Sequence, residues 1–163
     1  MSTAVLSIGS NLGDRLSYLR LAARGFGPAL RACSGVYVTA PWGVTDQADF
    51  LNAVLIVADD QASPYTWLER ARELEAAAER VRERRWGPRS LDVDVITVPG
   101  HASSDPELTL PHPRAHQRAF VLVPWVELEP DAELPGHGRI SGLLDALPAE
   151  ERSGVRRLAE TVL

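Results

Sequence analysis

The order of hydrophobic patterns along the 163 residues predicts an α+β sandwich built on one antiparallel sheet. Three observations predict it. Short β-branched runs alternate with two longer stretches of three- and four-residue apolar spacing, in the order strand, helix, strand, strand, helix, strand. Glycine, proline and small polar residues punctuate the junctions. With 45% hydrophobic residues the chain is long enough for one well-buried core and short for two, so residues 1–163 are expected to form a single domain.

Ala4 to Ile8 reads as the first strand, closed by Gly9-Ser10-Asn11-Leu12-Gly13-Asp14, whose glycines and small polar residues provide a turn and a helix cap. A helix to about Phe26 follows, because Leu16, Leu19, Ala22, Ala23 and Phe26 recur at helical spacing before Gly25, Gly27 and Pro28 end the pattern. Arg31 to Thr39 reads as a second strand, Val36 and Val38 alternating against Tyr37. Ala40 to Gln47 is a loop by its Pro41 and Gly43, and Phe50 to Val57 is the third strand. Ser63 caps the second helix and Pro64 opens it; Trp67, Leu68, Ala71, Leu74, Ala78 and Val81 form its apolar stripe. The fourth strand covers Leu91 to Val98. Beyond a Gly/Ser/Asp/Pro loop, Leu108 to Arg114 leads into short helical pieces at Phe120–Val123 and Trp125–Leu128, and another short helix is expected from Ile140 to Leu147. The order is that of the ferredoxin-like βαββαβ sandwich, with additional C-terminal short helices.

Charge excludes several functions. The formal net charge of -5 argues against a general nucleic-acid or anionic-membrane binder. All 17 basic residues are arginine, so neither a Walker-type phosphate loop nor a kinase strand lysine is possible. Five of those arginines, Arg80, Arg82, Arg84, Arg85 and Arg89, fall in one ten-residue window, a focused site for an anion. Cys33 is the one cysteine and suits a reducing cytoplasm, and neither a signal peptide nor a membrane span is read.

The window runs directly into Leu91-Asp92-Val93-Asp94-Val95. On a strand Asp92 and Asp94 project from the same side, with Cα atoms roughly 7 Å apart at a rise of about 3.3 Å per residue. Two such carboxylates repel unless a divalent cation shares them, and their hard oxygens suit Mg²⁺, which keeps positions for water and substrate phosphates. Leu91, Val93, Val95 and Ile96 make this strand too apolar for an exposed edge. The arginines, entering a Trp86-Gly87-Pro88-Arg89 loop, suit a polyphosphate. Gly9 to Asp14 reads as a tight turn rather than a phosphate cradle. Phe50 and Asn52 share a strand face, an aromatic and an amide suited to a flat heterocycle. His112, held between Pro111 and Pro113, is placed to turn its imidazole toward an anion.

These segments, with Ser7 to Asp14, Tyr37 to Asn52, Arg80 to Arg82, Arg85 to Asp94, Leu108 to Arg118 and Phe120, resemble the 6-hydroxymethyl-7,8-dihydropterin pyrophosphokinases of folate biosynthesis. The likeness spans the chain to about Pro135. It implies transfer of a pyrophosphoryl group from ATP to the hydroxymethyl oxygen of the pterin, leaving AMP. It implies two Mg²⁺ ions on Asp92 and Asp94, and a pterin held between Phe50 and Phe120, with Thr39, Asn52, Ala40, Pro41 and Trp42 bonding to it and Asp92 near it. For ATP it implies Glu75 at the ribose, Arg82, Arg85, Arg89, His112 and Arg118 at the phosphates, and Thr109 and Trp86 alongside, Trp86 belonging to a loop that closes over both substrates. Arg82 and Arg89 join the aspartates as the catalytic set. Glu79, Glu107 and Pro113 stand where the family often has glycine, arginine and an aromatic. A cytoplasmic monomer with small-molecule partners is expected. Two rivals remain open: an RNA-binding module on the same fold and a metal-dependent phosphohydrolase.

Overall fold

The computed structural model describes residues 2–40, 49–79, 90–159 and 161–163. At its centre lies β1 (Ser2–Ser10), flanked antiparallel by β4 (Phe50–Asp59) and β5 (Asp92–Thr97). Outside β4 runs β3 (Tyr37–Thr39), then β10 (Val155–Arg157), giving the order β10-β3-β4-β1-β5, with β2 (Leu30–Cys33) also paired to β4. The first four strands of the sequence pattern thus take the order expected of a ferredoxin-like sheet, and β10 extends it. Nothing in the tail's composition announced that strand.

The expected strand over 31–39 is broken in two. From Cys33 opposite Leu55 to Tyr37 opposite Asn52, four steps on one strand face three on the other, which is a β-bulge. Ser34 makes it possible: its N–H donates to the Val54 carbonyl, and its hydroxyl accepts from the Val54 N–H, both at 2.9 Å. Gly9 and Ser10 also differ from expectation, belonging to β1 rather than to the turn after it; the turn needs glycine at Gly13, where φ is 68°.

Alternation decides the two faces of the sheet. Ala4, Leu6 and Ile8 of β1 pack with Leu51, Ala53, Leu55 and Val57 of β4 and Val93 and Val95 of β5 beneath two helices. The first helix, α1 (Arg15–Gly25), is capped by the Asp14 carboxylate, which accepts from the Ser17 N–H at 3.2 Å. The second, α2 (Pro64–Glu79), begins with a reciprocal Ser63–Thr66 pair and buries Trp67 completely, the indole N–H donating to Ser2 Oγ at 2.8 Å.

The opposite face is covered over half its length only. Val5, Val54, Ile56 and Ile96 lie under α3 (Ala119–Leu128) and α4 (Ile140–Ala146). Here the two expected helical pieces are one helix that runs through Pro124, a residue buried with Val121, Leu122 and Trp125; their packing outweighs the missing backbone donor. Short elements complete the chain: a hairpin of β6 (Ser103–Asp105) and β7 (Leu108–Leu110) beside β5, a second of β8 (Glu133–Leu134) and β9 (Gly138–Arg139), and α5 (Ala149–Ser153) before β10. As the last strand in the order, β5 is an edge, which its apolar sequence had argued against. It is not exposed, because α2 covers Val93 and Val95 and the His112 N–H donates to the Ile96 carbonyl at 2.7 Å. No helix among the described residues is long and apolar enough to cross a membrane.

Candidate active site

Where α3 stops covering the sheet, a cavity of about 960 Å³ opens on the uncovered half. The antiparallel register assembles its floor. Asn52, Gly9 and Asp92 face one another across β4, β1 and β5, and Val54, Ser7 and Asp94 form the next row. Small residues on the central strand therefore leave a hollow between an amide on one side and carboxylates on the other. One row further, Val5 and Ile56 belong to the core, so the same alternation that builds the core builds the floor.

Phe50 and Asn52, read from their shared strand face, and Thr39, Ala40 and Phe120, implied by the family resemblance, all line the cavity. Phe50 sits opposite Thr39 in the β3–β4 register, while Phe120 enters from the first turn of α3. The Asn52 side chain is 5% exposed, and its Oδ1, like Thr39 Oγ1, is buried with no hydrogen-bond partner among the described residues. Buried polar atoms are seldom left so, because the desolvation cost is about 1–3 kcal/mol each. Gly9 is essential to this arrangement: a Cβ there would lie 2.7 Å from Asn52 Nδ2.

Asp92 and Asp94 are half-buried on the cavity face, as the spacing predicted. Arg118 stands over Asp94, Nη1 to Oδ2 at 3.8 Å, with its guanidinium carbon 5.5 Å from the Phe120 ring centre. A pair of hard oxygen donors on a rigid strand fits Mg²⁺, which takes one or two protein carboxylates and fills its other positions with water and phosphate oxygens. Among the described residues no group of three or more metal-ligating side chains converges. His112 Nδ1 accepts from the Arg114 N–H at 3.1 Å. Burial, with the Arg118 charge next, holds its pKa below the ordinary 6.5. The neutral ring, its Nδ1 accepting, carries its proton on Nε2.

On the outer side of β5 a second cleft of about 240 Å³ includes Leu68, Val93 and Val95 on its apolar walls and Thr109, His112 and Glu107 at its polar end. Asp94 borders both spaces. Thr109 Oγ1 donates to the Asp105 carbonyl at 3.0 Å, and the exposed Glu107 lies 4.0 Å from Arg72. Glu75 is not wholly given over to a ligand: its Oε2 accepts from the Val93 N–H at 2.9 Å, tying α2 to the edge of β5. Pro41, Trp42, Arg82, Arg85, Trp86 and Arg89, also expected in the site, lie outside the described residues.

Other lining residues escaped the sequence reading. Ser7 and Gly9 carried a usable signal, being small where the alternate positions of β1 are bulky. Arg114 and Gln117 flank the recognised Arg118, and Pro148, Glu150, Glu151, Gly154 and Val155 come from the tail, whose sequence has no periodicity to place it.

A family model described as 7,8-dihydro-6-hydroxymethylpterin-pyrophosphokinase matches residues 5–130. A curated protein of Mycobacterium bovis, 2-amino-4-hydroxy-6-hydroxymethyldihydropteridine pyrophosphokinase, is 48% identical over 168 residues, covering 96% of this chain and 89% of its own. One of the same name from Methylorubrum extorquens is 43% identical over 162 residues, covering 97% and 99%. Among solved structures, wild-type Plasmodium falciparum HPPK-DHPS superposes with a TM-score of 0.66 at 12% identity over 88% of this chain. Only 44% of that longer chain is matched, and at such identity the likeness concerns the fold.

Proposed function

The chain belongs to the 7,8-dihydro-6-hydroxymethylpterin pyrophosphokinase family, and on that premise we propose that the two spaces bordered by Asp94 hold its two substrates, the pterin on the sheet and ATP beside β5. The enzyme transfers pyrophosphate from ATP to the hydroxymethyl group of 6-hydroxymethyl-7,8-dihydropterin in folate biosynthesis. With the family known, the RNA-binding and phosphohydrolase rivals lose their support. One observation supports the assignment of the spaces: Phe50, Phe120, Asn52 and Thr39 line the same cavity as the two carboxylates, and the second cleft adjoins it at Asp94.

In this reading the pterin lies flat between Phe50 and Phe120. Asn52 and Thr39 meet its polar edge and turn the hydroxymethyl group toward Asp92. ATP lies across Asp94 with its base in the second cleft near Thr109 and its ribose near Glu75. The hydroxymethyl oxygen attacks the β-phosphorus; the new O–P bond forms as the bridge to the α-phosphate breaks, AMP departs, and the hydroxyl proton passes to solvent. Transfer of this kind needs alignment and charge neutralisation more than covalent help. Arg118 and the Nε2–H of His112 donate to phosphate oxygens, joined by Arg82, Arg85 and Arg89, and Trp86 helps close the site against water. When bound on Asp92 and Asp94, two Mg²⁺ ions neutralise charge on the transferring group. We further propose a cytoplasmic monomer of one domain, a reading supported by the free Cys33 thiol and the continuous sheet.

Incubation with ATP, Mg²⁺ and the pterin should give AMP and pterin pyrophosphate in equal amounts. Asp92→Ala and Asp94→Ala should each lower turnover by about three orders of magnitude, roughly 4 kcal/mol of transition-state stabilisation. Near-normal turnover by both variants would reject the metal assignment.

A further inference from the structure

Outside the lining of both spaces, a single carboxylate gathers four parts of the chain. Glu127 of α3 accepts the Tyr37 hydroxyl at 2.7 Å and the Gly35 N–H at 3.1 and 3.0 Å on its two oxygens, and Arg157 of β10 approaches to 3.5 Å. The Arg157 guanidinium lies close over the bulge, since a Cβ on Gly35 would meet its Nε at 2.7 Å. One group therefore pins the β2–β3 bulge, β3, β10 and α3 together.

Tyr37 carries that fixation to the site. It faces Asn52 directly across the β3–β4 pair. Its ring, 7% exposed, clusters with Ala119 and Val155, and Phe120 packs against the cluster. Four cavity residues on this side, Thr39, Asn52, Phe120 and Val155, lie on elements that the Glu127 carboxylate or Tyr37 contacts. The opposite side, β5 with Asp92 and Asp94, is tied instead to α2 through Glu75, whose Oε2 accepts from the Val93 N–H at 2.9 Å.

We propose that Glu127 and Tyr37 are positioning residues for the acceptor half of the active site, holding Asn52 and Phe120 at the spacing that a flat pterin requires. The inference rests on the assignment of that half to the pterin. A hydrogen-bonded brace of this kind lowers the reorganisation a ligand must otherwise drive on binding.

Tyr37→Phe removes one oxygen and keeps the ring; Glu127→Gln keeps the shape and removes the charge. Pterin affinity is to be measured with a non-hydrolysable MgATP analogue at saturation, and analogue affinity alone, for both variants and for Asn52→Ala. We expect each positioning variant to weaken the pterin about five- to tenfold and to leave the analogue within about twofold. Equal losses for both ligands would make the network a general fold support and overturn the proposal. Unchanged pterin affinity in Tyr37→Phe and Glu127→Gln, with Asn52→Ala weakened, would overturn it while leaving the site assignment intact. Unchanged affinity in Asn52→Ala as well would remove the assignment beneath it.

Discussion

Gly9 sets the width of the cavity floor by having no side chain. The 2.7 Å separation between its virtual Cβ and Asn52 Nδ2 is shorter than real carbon contacts allow, and Asn52 is too buried to swing clear. Gly9→Ala should therefore cost about 1–3 kcal/mol of stability, as overpacking does, and weaken the pterin more than ATP. Denaturant unfolding with substrate titration checks both; an alanine variant of wild-type stability and affinity would show that Asn52 is not fixed. The sequence made this glycine visible but misplaced it. Gly9-Ser10-Asn11 looks like turn composition, and only pairing with Asn52 and Asp92 shows that the strand continues through it. Asp92 and Asp94, by contrast, were legible from strand alternation alone.

Ser34 acts at the scale of an element, letting one strand break without losing its bonds. Its hydroxyl accepts from the buried Val54 N–H and donates to the Gly35 carbonyl at 2.8 Å. Ser34→Ala should strand that N–H and destabilise the fold by about 1–3 kcal/mol, read as a shift in denaturant midpoint with unchanged slope. A change below experimental error would mean that the bulge closes without the hydroxyl. Local pattern could not reveal the break, because Ala32, Val36 and Val38 continue a plausible strand on either side. The same limit explains α3: Pro124 reads as a stop, and burial on the second face of the sheet overrides it. It also explains β5, whose apolar sequence reported cover correctly and neighbours wrongly. Cover came from α2 and the turn at His112, not from another strand of the main sheet.

For the whole molecule, the network around Glu127 couples stability to alkaline pH. Burial first, then the bond to Glu127, pushes the Tyr37 phenol from an ordinary 10.0 up to about 12. An acid whose folded pKa is raised contributes stability that is fully present below the unfolded value of 10.0 and is lost as pH rises through about 12. The protein should therefore lose stability across that window, and an ultraviolet titration should find a tyrosine ionising at about 12. Glu127→Gln should bring that tyrosine down. Ionisation of all three tyrosines near 10 would contradict the buried placement of Tyr37. The fold as a whole was well read, since two helices and four strands follow from periodicity. In the tail only the helix expected over Ile140 to Leu147 was legible, found as α4; β10 was not, because it has three residues and only its partner β3 makes it a strand.

The position of β10 also fixes an order of events on the ribosome. Chains emerge from the N-terminus. The sheet from β1 to β5 can pair once residue 97 is free, and the first layer of core lies under helices already made. The floor of the cavity, with its amide and carboxylates, then exists before the wall that Pro148 to Val155 provides. A nascent chain halted between the two would carry a paired sheet with its acceptor side open to water. Competence for the reaction thus arrives as a separate, later step than the pairing of the sheet, with the Glu127 carboxylate waiting on α3 for Arg157 to reach it.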